Sequence, residues 1–142
     1  MKIFRKTFPE TTDPSDVQRE VEIQRAAAQV GFSPKVFSTD YQTFIEMEDL
    51  EEMCVADKYG EAIEGIPSFI LEDIYKILSD LYYIYNIQYI DVTPYNFIER
   101  DGRVWIIDFG HATMRRPGQN TNWYLLESLD QGEISYWNPD FK

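Results

Sequence analysis

The run Asp91-Val92-Thr93-Pro94-Tyr95-Asn96, followed after a short interval by Ile106-Ile107-Asp108-Phe109-Gly110, decides how this chain is read. Between the two lie Phe97-Ile98-Glu99-Arg100 and Val104-Trp105-Ile106-Ile107, separated by Asp101-Gly102. Asp-Gly between two apolar runs is a strong hairpin signal, because a tight hairpin needs residues that tolerate positive φ. A hairpin therefore sits between an Asp-x-x-x-x-Asn loop and an aspartate that precedes Phe-Gly.

Upstream, Pro67-Ser68 opens a helix predicted over 69–86, in which Ile70, Ile74, Ile77, Leu78 and Leu81 recur at helical spacing. It leads directly into the Asp91 loop. Near the start, Met1 to Phe8 reads as a strand ended by Pro9, and Asp13-Pro14-Ser15-Asp16 reads as an N-cap with proline at the first helical position. That helix runs to Gly31. Val17, Glu20, Ile23 and Ala27 share one of its faces, so one glutamate is expected to point inward. Two strands follow, over 35–38 and 43–47, then an acidic stretch with one or two helical turns between Glu48 and Gly65. Beyond the hairpin, 115–122 reads as loop, 123–129 as a short helix and 136–142 as an extended tail.

The order of these pieces resembles a protein kinase: strand, helix, two strands, linker, long helix, loop, hairpin. Protein kinases place a His-Arg-Asp-x-x-x-x-Asn loop after the long helix and Asp-Phe-Gly after the hairpin. Tyr89-Ile90-Asp91 with Asn96, and Asp108-Phe109-Gly110, hold the same spacing here. The resemblance implies an α+β, minimal two-lobed fold, with a small antiparallel sheet and one helix over 1–50, hinge included, and a reduced helical lobe over 51–142. It implies Mg²⁺ and ATP as cofactors, Asp91 as catalytic base, and Asn96 and Asp108 as metal ligands. Oxygen donors of this kind suit a hard cation that keeps phosphate and water among its ligands. The family also pairs a strand lysine with a helix glutamate to hold the nucleotide phosphates. Glu20 stands where that glutamate belongs. Lys2, eighteen residues earlier, is favoured over Lys6, fourteen residues earlier, although alternation puts both on one side of the strand. Thr43-Phe44-Ile45-Glu46-Met47-Glu48-Asp49-Leu50 resembles the strand and hinge that hold adenine, with Met47 at the back of the pocket and the Glu48 C=O and Leu50 N–H facing the base.

The sequence departs from the family in identifiable places. A counterpart of the glycine-rich hairpin that covers the phosphates in kinases is not expected ahead of the lysine strand. Tyr89-Ile90 replaces His-Arg, which removes the arginine that reads a phosphorylated activation loop, and Thr93 stands where serine/threonine kinases carry lysine. The Asp91 loop is closer in character to atypical and small-molecule kinases, such as the small kinase of the tRNA-threonylcarbamoylation complex or the aminoglycoside phosphotransferases. Tyr136-Trp137-Asn138-Pro139-Asp140 is similar to the Tyr-x-Ala-Pro-Glu that closes an activation segment. The expected activity is γ-phosphoryl transfer to a hydroxyl, most like a serine/threonine protein kinase. The alternatives are an inactive pseudokinase used as a binding module, and a small-molecule or tRNA-pathway kinase.

Composition narrows the partners. The chain has 142 residues, enough for one domain but short of the roughly 250 that a two-lobed enzyme occupies. Its aromatic share of 15% and apolar share of 44% belong to a folded protein and exclude a disordered acidic tail. A net charge of −12 argues against nucleic-acid and anionic-membrane partners, and the general field repels ATP. Six of thirteen basic residues fall in the first thirty-five positions, which leaves room for a local anion site. One cysteine, Cys54, reads as a small buried hydrophobe in a reducing compartment, and the absence of a long apolar run suggests an intracellular, cytoplasmic protein. His111 reads as a structural hydrogen-bonding residue. A protein substrate or partner is expected, and a second copy or a complex is expected to cover the shortened helical half, with Trp123, Tyr124, Leu125 and Leu126 as an internal alternative.

Overall fold

The computed structural model describes residues 2–114 and 126–138. Strand β1 (Ile3–Thr7) is followed by helix α1 (Pro14–Gln29), strands β2 (Val36–Thr39) and β3 (Phe44–Glu48), and a short helix α2 (Val55–Tyr59). A 3₁₀ turn (Ile63–Gly65) leads to the long helix α3 (Ser68–Tyr83), then β4 (Ile87–Gln88), the hairpin β5 (Phe97–Arg100) and β6 (Arg103–Ile106), β7 (Thr113–Met114) and helix α4 (Leu126–Gln131). The chain is α+β with small antiparallel sheets, as the sequence predicts. The expected loop over 115–122 lies outside the described residues, as do Trp123, Tyr124 and Leu125.

Helix α1 starts where its capping signal lies. The Asp13 carboxylate accepts the Ser15 N–H at 2.9 Å, and Pro14 occupies the first turn, where its missing N–H costs nothing. The inward face holds: Val17, Glu20, Ile23 and Ala27 are all buried. The β5–β6 hairpin turns through Asp101 at φ 55° and Gly102 at φ 79°, the pair of positive φ values that a two-residue turn requires. The hairpin is fixed to α3 by the Val104 N–H, which donates to Asp73 Oδ2 at 2.7 Å.

The three-stranded sheet has the order β1-β3-β2, with Phe4 opposite Met47 and Lys6 opposite Ile45. Two apolar clusters hold the molecule together. Val17, Val21, Ile45 and Met47 join α1 to that sheet. The larger cluster gathers the buried face of α3, the hairpin residues Phe97, Val104 and Ile106, and Ile23 and Ala27 from the same α1. Because α1 contributes to both clusters, the position of Glu20 is coupled to both. Among the described residues no helix is long and apolar enough to cross a membrane.

Candidate functional site

Three ionisable side chains from distant parts of the sequence meet beside the sheet. Lys6 Nζ, on β1, lies 2.6 Å from Glu20 Oε2 on α1 and 3.2 Å from Asp108 Oδ1 just after β6. Glu20 is the deepest of the three, its side chain 5% exposed against 25% for Lys6 and 39% for Asp108. Burial on its own would lower the Lys6 pKa, but the negative charges of Asp108 and Glu20 outweigh it and hold the ammonium above its ordinary value. Burial pushes the Glu20 carboxyl up, and Lys6 only partly offsets this. The two partners thus lean in opposite senses: the site favours the half-buried ammonium more than it favours the deeper carboxylate.

This geometry corrects the choice of lysine. Lys2 pairs instead with Glu51 at 3.1 Å, with its side chain 74% exposed. Its carbonyl accepts the Asp49 N–H at 3.0 Å, which ties it to the far end of β3. Strand alternation could not separate Lys2 from Lys6, since both point to one side. What separates them is register: Lys6 lies opposite Ile45, which packs with Val17 and Val21 of α1, and so falls within reach of Glu20.

Asp108 is fixed by its own turn. The Gly110 N–H donates to Asp108 Oδ1 at 2.8 Å. A Cβ at Gly110 would lie 3.2 Å from Asp108 Oδ1 and 3.4 Å from Glu20 Oε1, so a larger residue would crowd both carboxylates. Phe109 is fully buried and packs edge-on against Tyr89, with ring centroids 5.5 Å apart. Tyr89 thereby joins the Asp91 loop to the Asp108-Phe109-Gly110 turn.

The Asp91 loop is held by amides. The Val92 N–H donates to the Ile90 carbonyl at 2.9 Å, which places Asp91 at the apex of a three-residue turn. Asn96 Nδ2 donates to the Asp91 carbonyl at 2.8 Å, and the Asn96 carbonyl accepts the Ile107 N–H at 3.1 Å. One residue therefore connects the Asp91 loop to the strand that delivers Asp108. Thr93, 7% exposed, accepts the Tyr95 N–H on its Oγ1 at 3.3 Å and so caps the loop from within.

Two cavities flank this framework. A cleft of about 460 Å³ is lined by Phe4, Met47, Glu48, Leu50, Ile98 and Ile107 among others, so the three hinge-like residues singled out in the sequence share one wall. A second, of about 450 Å³, is lined by Lys6, Arg19, Glu20, Asp108, Gly110 and His111 among others. They adjoin. Phe4 and Lys6 are two residues apart on one side of β1, roughly 7 Å, and Ile107 and Asp108 are consecutive. Asp91 and Asn96 line neither cavity.

With Nδ2 donating to the Asp91 carbonyl, the oxygen of the Asn96 side chain is the atom left to offer a cation, and Asp108 is accessible. Among the described residues no group of three or more His, Cys, Asp or Glu side chains could hold a metal. An amide oxygen and a carboxylate are donor types that a hard cation accepts alongside phosphate and water.

Several features escaped the sequence reading. Cys54 is only half-buried and lines the cleft walled by Met47, Glu48 and Leu50, where burial pushes its thiol up. Gln24, fully buried one turn after Glu20, donates its amide to the Pro34 carbonyl at 3.1 Å and to Met47 Sδ at 3.4 Å. Asn138 returns to the Asp91 loop, its N–H donating to the Val92 carbonyl at 2.8 Å. A glutamine on an inward helix face is a readable signal. The other two depend on contacts between distant segments.

No family model matches the chain. It is 48% identical over 50 residues to the sperm motility kinase Tcr mutant form of Mus musculus, a match that covers 33% of this chain and 10% of that protein. The chain thus matches about a tenth of the length of that relative, and the similarity supports a kinase-like character without substrate or catalytic detail.

Proposed function

We propose that the chain binds Mg²⁺·ATP and transfers the γ-phosphoryl group to a hydroxyl. The observation that carries this reading is the convergence of Lys6, Glu20 and Asp108 at 2.6 and 3.2 Å beside a cleft walled by Met47, Glu48 and Leu50. In this reading the adenine base lies in the hinge-side cleft, against the Glu48 C=O and Leu50 N–H, and the phosphates reach past Phe4 to Lys6. Glu20 holds the lysine in place, because a flexible ammonium between two carboxylates has little freedom left. Asn96 and Asp108 would hold the cation, which, when bound, neutralises charge on the phosphate oxygens. Asp91 orients the acceptor hydroxyl and takes its proton. A protein hydroxyl is the acceptor we favour, and the partial likeness to a named kinase supports the reading at that coarser level.

ATP turnover and autophosphorylation of the full chain test it. Asp108→Ala and Lys6→Ala should each lower the rate by about 10²-fold or more, the loss expected when a preorganised charge is removed from such a site. Lys2→Ala should leave it near wild type. Wild type and Asp108→Ala at the same background rate would rule out the enzyme.

A second reading, a nucleotide-binding module without transfer, is favoured by one feature. Among the described residues β1 is an outer strand of its sheet, so no described strand shields phosphates on that side from water. A large thermal shift with Mg²⁺·ATP and no phosphotransfer would select this alternative.

A further inference from the structure

We infer that Asn138 is a positioning residue for the Asp91 loop, an inference that rests on the reading of Asp91 as the base. After α4 the chain runs back across the molecule. Ile134 is buried in the larger apolar cluster, and Trp137 Nε1 donates to the Glu61 carbonyl at 2.7 Å. These two anchors bring Asn138 to the loop. Its backbone N–H donates to the Val92 carbonyl at 2.8 Å, and its side-chain Nδ2 donates to the Ile90 carbonyl at 3.3 Å. Asn96 Nδ2 donates to the carbonyl between them, that of Asp91, at 2.8 Å.

Three successive carbonyls, at 90, 91 and 92, therefore each accept from an asparagine, and Asn138 supplies two of the three bonds. The peptide planes on either side of Asp91 set the direction in which its carboxylate leaves the backbone. Asn138 holds the plane before Asp91 through the Ile90 carbonyl and the plane beyond Val92 through its carbonyl, while Asn96 holds the plane between, and together they limit the rotation that the three-residue turn alone would leave free. Asparagine suits the task because a short side-chain amide beside its own N–H can reach carbonyls two residues apart. Aspartate at the same position would turn an oxygen towards the Ile90 carbonyl, and alanine would keep only the backbone bond. Because the clamp comes from a segment more than forty residues downstream, the orientation of Asp91 depends on that segment remaining docked.

The test compares the full-length wild type with Asn138→Ala, Asn138→Asp and Asn138→Gln, reading kcat and KM for ATP together with amide exchange at Val92. Asn138→Ala should lower kcat about tenfold, with KM for ATP within about twofold of wild type, because the acceptor geometry loosens while the nucleotide cleft is untouched. Exchange at Val92 should quicken about tenfold without a matching change at core amides of α3. Asn138→Asp should be at least as impaired, and Asn138→Gln, which keeps the donor, should recover part of the loss. Wild-type kcat and wild-type Val92 exchange in Asn138→Ala would overturn the inference, as would a joint change in kcat, KM and α3 exchange, which would mark general loosening. If the wild type shows no turnover, the proposed activity fails separately, and Val92 exchange alone decides: unchanged in Asn138→Ala overturns the clamp, faster and confined to the loop upholds it.

Discussion

Glu20 is 4% exposed in a chain of net charge −12, and its one described ionic partner, Lys6, is shared with Asp108. Burying a carboxylate is costly unless its partner is fully committed, and Lys6 is divided between two carboxylates. Burial holds the folded-state pKa of Glu20 above its ordinary value of 4.5. Its contribution to stability is therefore fully present below pH 4.5 and is lost as pH rises through the folded-state value. Glu20→Gln should accordingly be more stable than wild type at pH 7, with the advantage shrinking as pH falls towards 4.5. Urea unfolding at several pH values reads this directly. A variant less stable than wild type at pH 7 would show that Lys6 more than compensates the burial. The same substitution should depress phosphotransfer, since Lys6 loses the group that orients it. At this scale the inward direction of Glu20 is legible in helical spacing, whereas the identity of its partner is not.

The elements follow local signals closely, and α1 shows why. Asp13 accepts hydrogen bonds from the Ser15 N–H and hydroxyl, both at 2.9 Å. The Ser15 N–H first, and then its hydroxyl, hold the Asp13 carboxyl below its ordinary range. A depressed carboxylate contributes stability above its unfolded-state value, and that contribution is lost as pH falls through the folded-state value. Asp13→Ala should fray the first turn of α1 and remove this acid-side dependence, visible as faster amide exchange at Ser15, Asp16 and Val17. Exchange unchanged at all three would mean that packing of Val17 alone sets the helix start. Because the first turn carries Val17 of the sheet-side cluster and Glu20 lies one turn on, fraying should also weaken Mg²⁺·ATP-dependent thermal protection. The Asp101-Gly102 turn is the other element whose chemistry is self-contained: two residues at positive φ register β5 against β6 and so set where Asp108 emerges. The short helix expected over 123–129 appears as α4 over Leu126–Gln131, its expected first turn lying outside the described residues.

At the scale of the whole molecule, stability rests on α3. Ile70, Ile74, Leu78 and Leu81 are each fully buried and face the hairpin and α1 across one cluster. Leu78→Ala removes branched bulk from a packed interior and should cost about 2–5 kcal/mol, depending on how far the neighbours collapse. Denaturant unfolding checks it, and a loss below about 1 kcal/mol would mean that this interior is loosely packed. Since Ile23 and Ala27 of α1 belong to the same cluster, such a variant should also weaken nucleotide-dependent thermal protection, even though Leu78 touches neither cavity.

What the sequence by itself determined is whatever depends on neighbours within about one turn or one hairpin: the cap and inward face of α1, the apolar stripe of α3, the Asp-Gly turn, and the spacing of Asp91, Asn96 and Asp108. These are set by periodicity, φ preference and side-chain hydrogen bonds to nearby amides. Tertiary structure decided what depends on how elements cross. Lys2 and Lys6 are equivalent under a period of two, and only the packing of α1 on Ile45, the residue opposite Lys6, gives Glu20 to Lys6. Cys54 has the composition of a core residue, yet it lines a cleft because α2 begins at the cleft wall. Asn138 reaches the Asp91 loop only because Ile134 and Trp137 dock the returning chain, a contact between segments far apart in sequence that no local pattern encodes.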